Sequence, residues 1–384
     1  MNRMYSFIII LTMILCIVSC ETDKIRKTII NGVTFVRNPN KPRDIEFSIV
    51  PQKKFSVKNI VFRERQEGSI NQYLVVDSTK NIFIYNKNDN KIRKYNNNGE
   101  LVIEFGGLGF GPGEISSANN LSIHNDTIRV LIMQERKYNY YNLDGKFLEC
   151  KKVDDNITSE HLPDKFDEKI KYYYCNYTEM SSNSILRYIR YFNDQYVGKE
   201  LSVINYVDKG SIKFKKVKLY DEFVKRNFDK YAMEFLKHFY NNGKIYYAEN
   251  DKNNFRYHVF NSSGKELLVV SKNYRKVKYP KYFIAKMKVL EGVFMPESFK
   301  YVQPITDIKS DKYGNVWIKS GEDCHRQKYM NYYQIFNSEG IYTNKIDLSK
   351  LTSCTYIKEV SFKDEFMFVY GDDGESDELH VFSY

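Results

Sequence analysis

The sequence runs to 384 residues, enough for one large all-β unit or two smaller domains. Its 59 lysines and arginines outnumber 48 acids, for a formal charge of +11, yet they are scattered and form no dense basic block. Scattered charge describes a solvated surface, and with the export address below it removes nucleic acid from the expected partners.

The N-terminus reads as that address. Arg3 supplies a positive start, and Phe7 to Val18 is apolar apart from Thr12. A bilayer-spanning helix needs about 20 apolar residues, so this shorter run fits the core of an export signal. It ends in Ile17-Val18-Ser19-Cys20, which looks like a lipobox. Residues 1–19 are therefore expected to be a lipoprotein signal peptide, with Cys20 the lipidated residue and the membrane a partner through its acyl chains. Residues 20–45 are polar, contain Pro39 and Pro42, and are expected to be a lipidated tether. The rest, 46–384, is expected to be one folded unit.

Two recurring signatures organise that unit. One is a tight turn before alternating apolar residues: Lys80-Asn81-Ile82-Phe83-Ile84-Tyr85, Asn125-Asp126 before Thr127 to Val130, Gly243-Lys244-Ile245-Tyr246-Tyr247, Asp311 to Ile318, and Lys363 to Val369. Alternation rich in β-branched and aromatic residues is a strand signal, and the short turn makes a hairpin. The other is an aromatic residue, an Asn or Asp, and then Gly. It occurs at Tyr95 to Gly99, Tyr141 to Gly145, Tyr206 to Gly210, Phe260 to Gly264 and Phe336 to Gly340. Here Asn or Asp turns the chain with its side chain and Gly accepts positive φ.

Each unit thus reads as four strands, one propeller blade. The turn glycines lie 46, 65, 54 and 76 residues apart, so insertions interrupt the period. A sixth unit, from about Tyr356, stops at its third strand, and an open edge there would expose unpaired backbone. Val57 to Arg65 precedes the first unit without another partner and is expected to supply the missing outer strand. The expected fold is all-β: a six-bladed β-propeller of four-stranded blades, closed by an N-terminal strand. A β-sandwich gives similar turn spacing, but recurrence of the two-part signature favours the propeller. Seven blades is the alternative count if the third unit conceals two. Residues 221–239 and 282–290 carry apolar residues at helical spacing and are expected to be short helical insertions between blades.

One segment carries a family resemblance. Phe105-Gly106-Gly107-Leu108-Gly109-Phe110-Gly111-Pro112-Gly113-Glu114 resembles the G-x-G-x-G-P-G-E signature after the first blade of exported six-bladed propeller lipoproteins of Bacteroidota, related to NHL-repeat proteins. The resemblance extends over residues 57–384 and includes the Gly314 to Ile318 copy and the lipobox. It implies a six-bladed fold and placement in the cell envelope, and it brings no activity with it.

No catalytic centre stands out. The glycine-rich loop lacks both the G-x-G-x-x-G register and the Gly-Lys-Ser/Thr of a P-loop. Gly109, Gly111, Pro112, Gly113 and Glu114 are read as a structural or binding loop, with Glu114 accepting from nearby amides. Of His124, His161, His238, His258, His325 and His380, only His124 and His238 are close to first strands, so no shared metal ring follows. The acidic run Asp372 to Glu378 lacks EF-hand spacing and reads as a solvated loop. No metal and no cofactor are expected. Cys150–Cys175 and Cys324–Cys354 are the cysteine pairs of shortest separation, with free buried thiols as the other reading. The expected function is a monomeric binding or interaction module for a glycan, a peptide or an envelope protein. The alternative is an NHL-like lyase or hydrolase with a metal or histidine site at the central channel.

Overall fold

The computed structural model describes residues 24–57, 73–86, 89–132, 135, 137–152, 172–181, 184–192, 196–207, 211–225, 237–249, 254–278, 301–321 and 331–384. Of residues 55–57, 73, 172–181, 184–192, 196–207, 211–225 and 237–238 it describes the backbone alone. The chain is all-β, and its four-stranded antiparallel sheets fit a propeller.

An N-terminal hairpin, β1 (Arg26–Ile30) and β2 (Val33–Asn38), is followed by β3 (Val50–Val57). The first sheet is β4 (Tyr73–Val76), β5 (Ile82–Asn86), β6 (Lys91–Tyr95) and β7 (Leu101–Gly106). The second is β8 (Asn120–His124), β9 (Thr127–Ile132), β10 (Lys137–Asn142) and β11 (Phe147–Lys152). Longer strands make the third: β12 (Tyr172–Ser181), β13 (Ser184–Phe192), β14 (Tyr196–Val207) and β15 (Ser211–Lys225). The fourth is β16 (Lys237–Asn241), β17 (Lys244–Ala248), β18 (Phe255–Asn261) and β19 (Glu266–Lys272). The fifth is β20 (Ile305–Ser310), β21 (Val316–Ser320), β22 (Tyr332–Phe336) and β23 (Tyr342–Asp347). In the last, β24 (Tyr356–Lys363), β25 (Phe366–Asp372) and β26 (Asp377–Ser383) are joined by β3, in the order β24-β25-β26-β3.

Both signatures fall at equivalent places. The tight turns join first to second strands, and the Asn-to-Gly turns join third to fourth strands, apart from the Tyr206 to Gly210 copy, whose residues 208–210 lie outside the described residues. In the latter, the Asn side chain accepts from amides two and four residues on: Asn96 from Asn98 and Glu100, Asn142 from Asp144 and Lys146, Asn261 from Ser263 and Lys265, and Asn337 from Glu339 and Ile341. The turn glycine takes φ near +80°, the left-handed region that glycine enters without a Cβ penalty. Asp77 and Asp311 do the same at first turns, and the second oxygen of Asp311 accepts Trp317 Nε1 at 3.0 Å.

Middle strands bury both faces, so alternate residues enter different cores. In β5, Phe83 and Tyr85 join Leu121, Ile128 and Val130 of the second sheet. Ile82 and Ile84 join Phe368, Tyr370 and Leu379 of the last. In β21, Val316 and Ile318 pack on Tyr257 and Val270 of the fourth sheet, while Trp317 packs on Val360 and Met367 of the last. The first strands also touch in order: β4 with β8, β8 with β12, β12 with β16, β16 with β20, β20 with β24, and β24 with β4.

Three expectations change, and a fourth lies outside the described residues. The strand beside β26 is Val50–Val57, with Val57 opposite Asp377; of the expected 57–65 segment only Val57 belongs to it, and 58–65 lie outside the described residues. Pro51 sits where the register shifts, as expected of proline on an edge strand. Within the expected tether, residues 26–38 form a hairpin about Asn31 and Gly32, both at positive φ, and β2 runs parallel to β19. Asn-Gly between apolar runs is a strong hairpin signal, and Val36 enters the core beside Val270. The helix expected at 221–239 is strand at both described ends, because Asp221 to Lys225 continue β15 and Phe239 belongs to β16. The helix expected at 282–290 lies outside the described residues.

Candidate functional site

The Gly-Pro-Gly-Glu segment connects β7 to β8. Glu114 Oε2 accepts the Gly111 amide at 2.8 Å, while Gly107 donates to Asn90 O and Ile115 donates to Gly107 O. Tyr141 Oη donates to Gly113 O at 2.9 Å, and Asn139 donates to Glu114 O. A Cβ at Gly109 would stand 2.0 Å from the Glu114 carboxylate, so a larger residue there would displace that side chain from its bond to Gly111. Leu108 and Phe110 project outward, 72% and 74% exposed, beside Gly109, Gly111, Pro112 and Gly113.

Where the first strands meet, four sheets contribute to one charged cluster. Glu359 of β24 accepts the Leu74 amide of β4 at 3.0 Å, and its other oxygen lies 3.8 Å from Lys309 Nζ of β20. That ammonium lies over the Phe239 ring of β16, 5.2 Å from its centroid. The Glu359 and Lys309 side chains keep 14% and 20% exposure. Burial, with Asp307 beside it, pushes the Glu359 carboxyl up to about 7 although Lys309 opposes the rise. Burial pulls the Lys309 ammonium down, but Asp307 and Glu359 outweigh it and hold the group above its usual value. Both signs of charge beside an aromatic face can hold a polar ligand by paired hydrogen bonds.

The acidic run is not a solvated loop throughout. Asp372, Asp377 and Glu378 are buried. Asp377 meets Lys358 Nζ and Tyr370 Oη, and Asp372 lies 3.6 Å from the same ammonium. Glu378 accepts from Lys54 Nζ of β3 through Oε1 at 2.7 Å. Its Oε2 meets Ser353 Oγ, lies 3.0 Å from His380 Nε2 and lies 4.0 Å from Cys354 Sγ. Burial pushes the Cys354 thiol up to about 12 and pulls the His380 imidazole down against the opposing pull of Glu378. Burial also opposes ionisation of Glu378, but its bonds to Lys54, Ser353 and His380 prevail and lower it. Ser353 and Glu378 both approach Nε2 of His380, so they do not form a nucleophile–imidazole–carboxylate relay.

His124 on β8 and His238 on β16 lie on first strands as expected, whereas His258 and His380 lie on third strands. His124 is half-buried near Arg129, and burial lowers its pKa. His238 is described by backbone alone, and His161 and His325 lie outside the described residues. His258 is buried between Glu266 at 2.6 Å on Nδ1 and Glu249 at 2.7 Å on Nε2. His380 joins the Cys354 cluster. The signal for that cluster was present locally: Glu378 and His380 are two apart on one strand and share a face. Nothing local pointed to Cys354 or Lys54, which arrive from a preceding loop and from β3. Cys150, exposed, and Cys354, buried, are free thiols.

No family model matches the chain, and no curated protein matches it in sequence. Among solved structures it is similar to a member of the DUF4221 family from Bacteroides vulgatus, with a TM-score of 0.52 and 11% identity over 89% of this chain and 98% of that one. It is also similar to an exported protein of Bacteroides fragilis, with a TM-score of 0.46 and 11% identity over 91% and 99% of the two chains. Virginiamycin B lyase of Staphylococcus aureus has a TM-score of 0.44 and 11% identity over 88% and 100%. At such identity the likeness concerns the fold alone.

Proposed function

We propose that the chain is an envelope lipoprotein, anchored through Cys20, whose six-bladed propeller binds a glycan, a peptide or an envelope protein where its first strands converge. The cyclic contacts of the first strands and the packing of the last sheet on the first support a closed ring, with β3 as its N-terminal closing strand. The Asp307, Lys309 and Glu359 cluster carries the binding reading: β20 and β24 supply its charges, the Phe239 ring of β16 and the Leu74 amide of β4 flank it, and the Lys309 and Glu359 side chains retain access to solvent. The alternative, a lyase or hydrolase, draws on Glu359, whose raised pKa suits proton transfer near neutrality.

Affinity capture from the native envelope tests the reading. The wild-type chain is expected to retain a specific partner that a Lys309→Met, Glu359→Gln chain loses. Equal capture by both would remove the centre as the binding site. Turnover of an envelope substrate with no retained partner would select the enzyme instead. Labelled palmitate should enter the wild-type chain and not Cys20→Ser, and a membrane-impermeant label on intact cells reads which side of the outer membrane it occupies.

A further inference from the structure

We infer that Cys354, Glu378 and His380 form a binding site for a divalent transition-metal ion of zinc-like chemistry, which fastens the sheet that β3 completes. All three residues are buried, and one ligand atom from each lies within 4.8 Å of the others. Zinc bonds of about 2.0–2.3 Å in a tetrahedron set ligand atoms about 3–4 Å apart. The separations here, 3.0 Å from Nε2 to Oε2 and 4.0 Å from Sγ to Oε2, bracket that span. Small side-chain adjustments are enough to admit an ion.

The surroundings are built for this. The two oxygens of Glu378 have separate partners: Oε1 is held by Lys54, while Oε2 faces the thiol and the imidazole. An outer partner on the far oxygen is how metal-binding carboxylates are oriented. Ser353 Oγ, 3.4 Å from Nε2, leaves a hydroxyl or a water as fourth ligand. Space for the thiol depends on Gly371, where a Cβ would come within 2.7 Å of Sγ.

The donor set selects the ion. A thiolate and an imidazole beside one carboxylate suit zinc, whereas calcium and magnesium require oxygen ligands. Of the nearby acids, Asp372 and Asp377 already face Lys358 and are not available for a calcium cage. Metal binding releases the thiol proton to solvent, the two anionic ligands then cancel the dication, and the remaining Lys54 charge sits on a side chain that is half exposed to solvent. The ligands come from the β23–β24 connection and from β26, with Lys54 from β3, so one ion joins three segments brought together late in the chain's topology. The site stands whatever the centre of the propeller binds.

The test is spectroscopic, on the full chain purified in mild detergent and stripped with a chelator. Titration with cobalt chloride is expected to saturate at one equivalent, with the near-ultraviolet band of a cobalt–thiolate bond and the visible bands of four-coordinate cobalt. Zinc chloride should displace it. Cys354→Ser should lose the near-ultraviolet band, His380→Ala should weaken binding, and Lys54→Met should lower cobalt affinity about tenfold or more. If Cys354→Ser does not fold, the chain with Cys150, Cys175 and Cys324 all replaced by serine must keep the band. No saturable absorbance in the wild type, a band that survives Cys354→Ser, or one lost in the triple serine chain overturns the site.

Discussion

At the scale of single residues, what a glycine turn costs depends on what surrounds it. Gly314 and Gly340 have the same φ of +79°, but a Cβ at Gly314 would meet Ser338 Cβ at 3.4 Å and one at Gly340 would meet Val270 Cγ2 at 2.5 Å. Gly314→Ala should therefore cost the left-handed strain alone, about 1–2 kcal/mol. Gly340→Ala adds overpacking of about 1–3 kcal/mol more, because Val270 is fixed in a core. Urea unfolding of the two variants checks this, and equal midpoints would refute it. Glu359 gives a pH test. A carboxyl whose pKa rises from 4.5 to about 7 on folding holds its proton more tightly in the fold. Its stabilising contribution is complete below about pH 4.5 and is lost as pH rises through about 7, a loss of about 3 kcal/mol. Glu359→Gln keeps an acceptor for the Leu74 amide and should unfold with less loss of stability between pH 5 and 8. Parallel pH profiles for the two chains would show that Glu359 is not the group responsible.

At the scale of elements, β3 is the strand on which the last sheet depends. Without it β26 would show a bare edge, along with Leu379 and Val381 of a core shared with the first sheet. A chain starting at residue 58 should lose cooperative unfolding and self-associate, visible by calorimetry and size-exclusion chromatography; a monomer with the wild-type melting profile would contradict that. The four-strand unit was legible because Asx-Gly turns recur in four of the described sheets and tight hairpin turns in five, and turn chemistry is local. The incomplete sixth unit even called for a strand from the N-terminal side. Which strand was not legible, since Val50–Val57 carries Pro51, Gln52, Lys53 and Lys54 and has little apolar alternation. The aromatic spacing around Phe223 and Phe239 suggested helix because period alone does not exclude long strands, and neighbouring strands decided the outcome. The central cluster escaped for a different reason. Phe239, Lys309, Glu359 and the Leu74 amide are ordinary residues of four separate first strands, and only the contacts among those strands bring them together.

At the scale of the whole molecule, the docked N-terminal hairpin bears on how an anchored chain would sit. Five residues separate Cys20 from Arg26, where β1 begins, and the six steps between them at about 3.3–3.6 Å each reach no more than about 22 Å. The hairpin is fastened beside the fourth and fifth sheets: β2 pairs with β19, Asn38 donates to Gly340 O and accepts from Tyr342 N, and Lys27 Nζ lies 2.6 Å from Glu339. A lipid on Cys20 would then hold that edge near the bilayer and leave the second sheet away from it, instead of letting the body swing on a loose tether. Fluorophores on Glu339→Cys and on Asp144→Cys, each in a Cys150→Ser chain bound to vesicles with headgroup quenchers, read the difference. Stronger quenching is expected at 339 than at 144. Equal quenching would mean that the hairpin peels from β19 at the membrane and that the anchored body reorients freely.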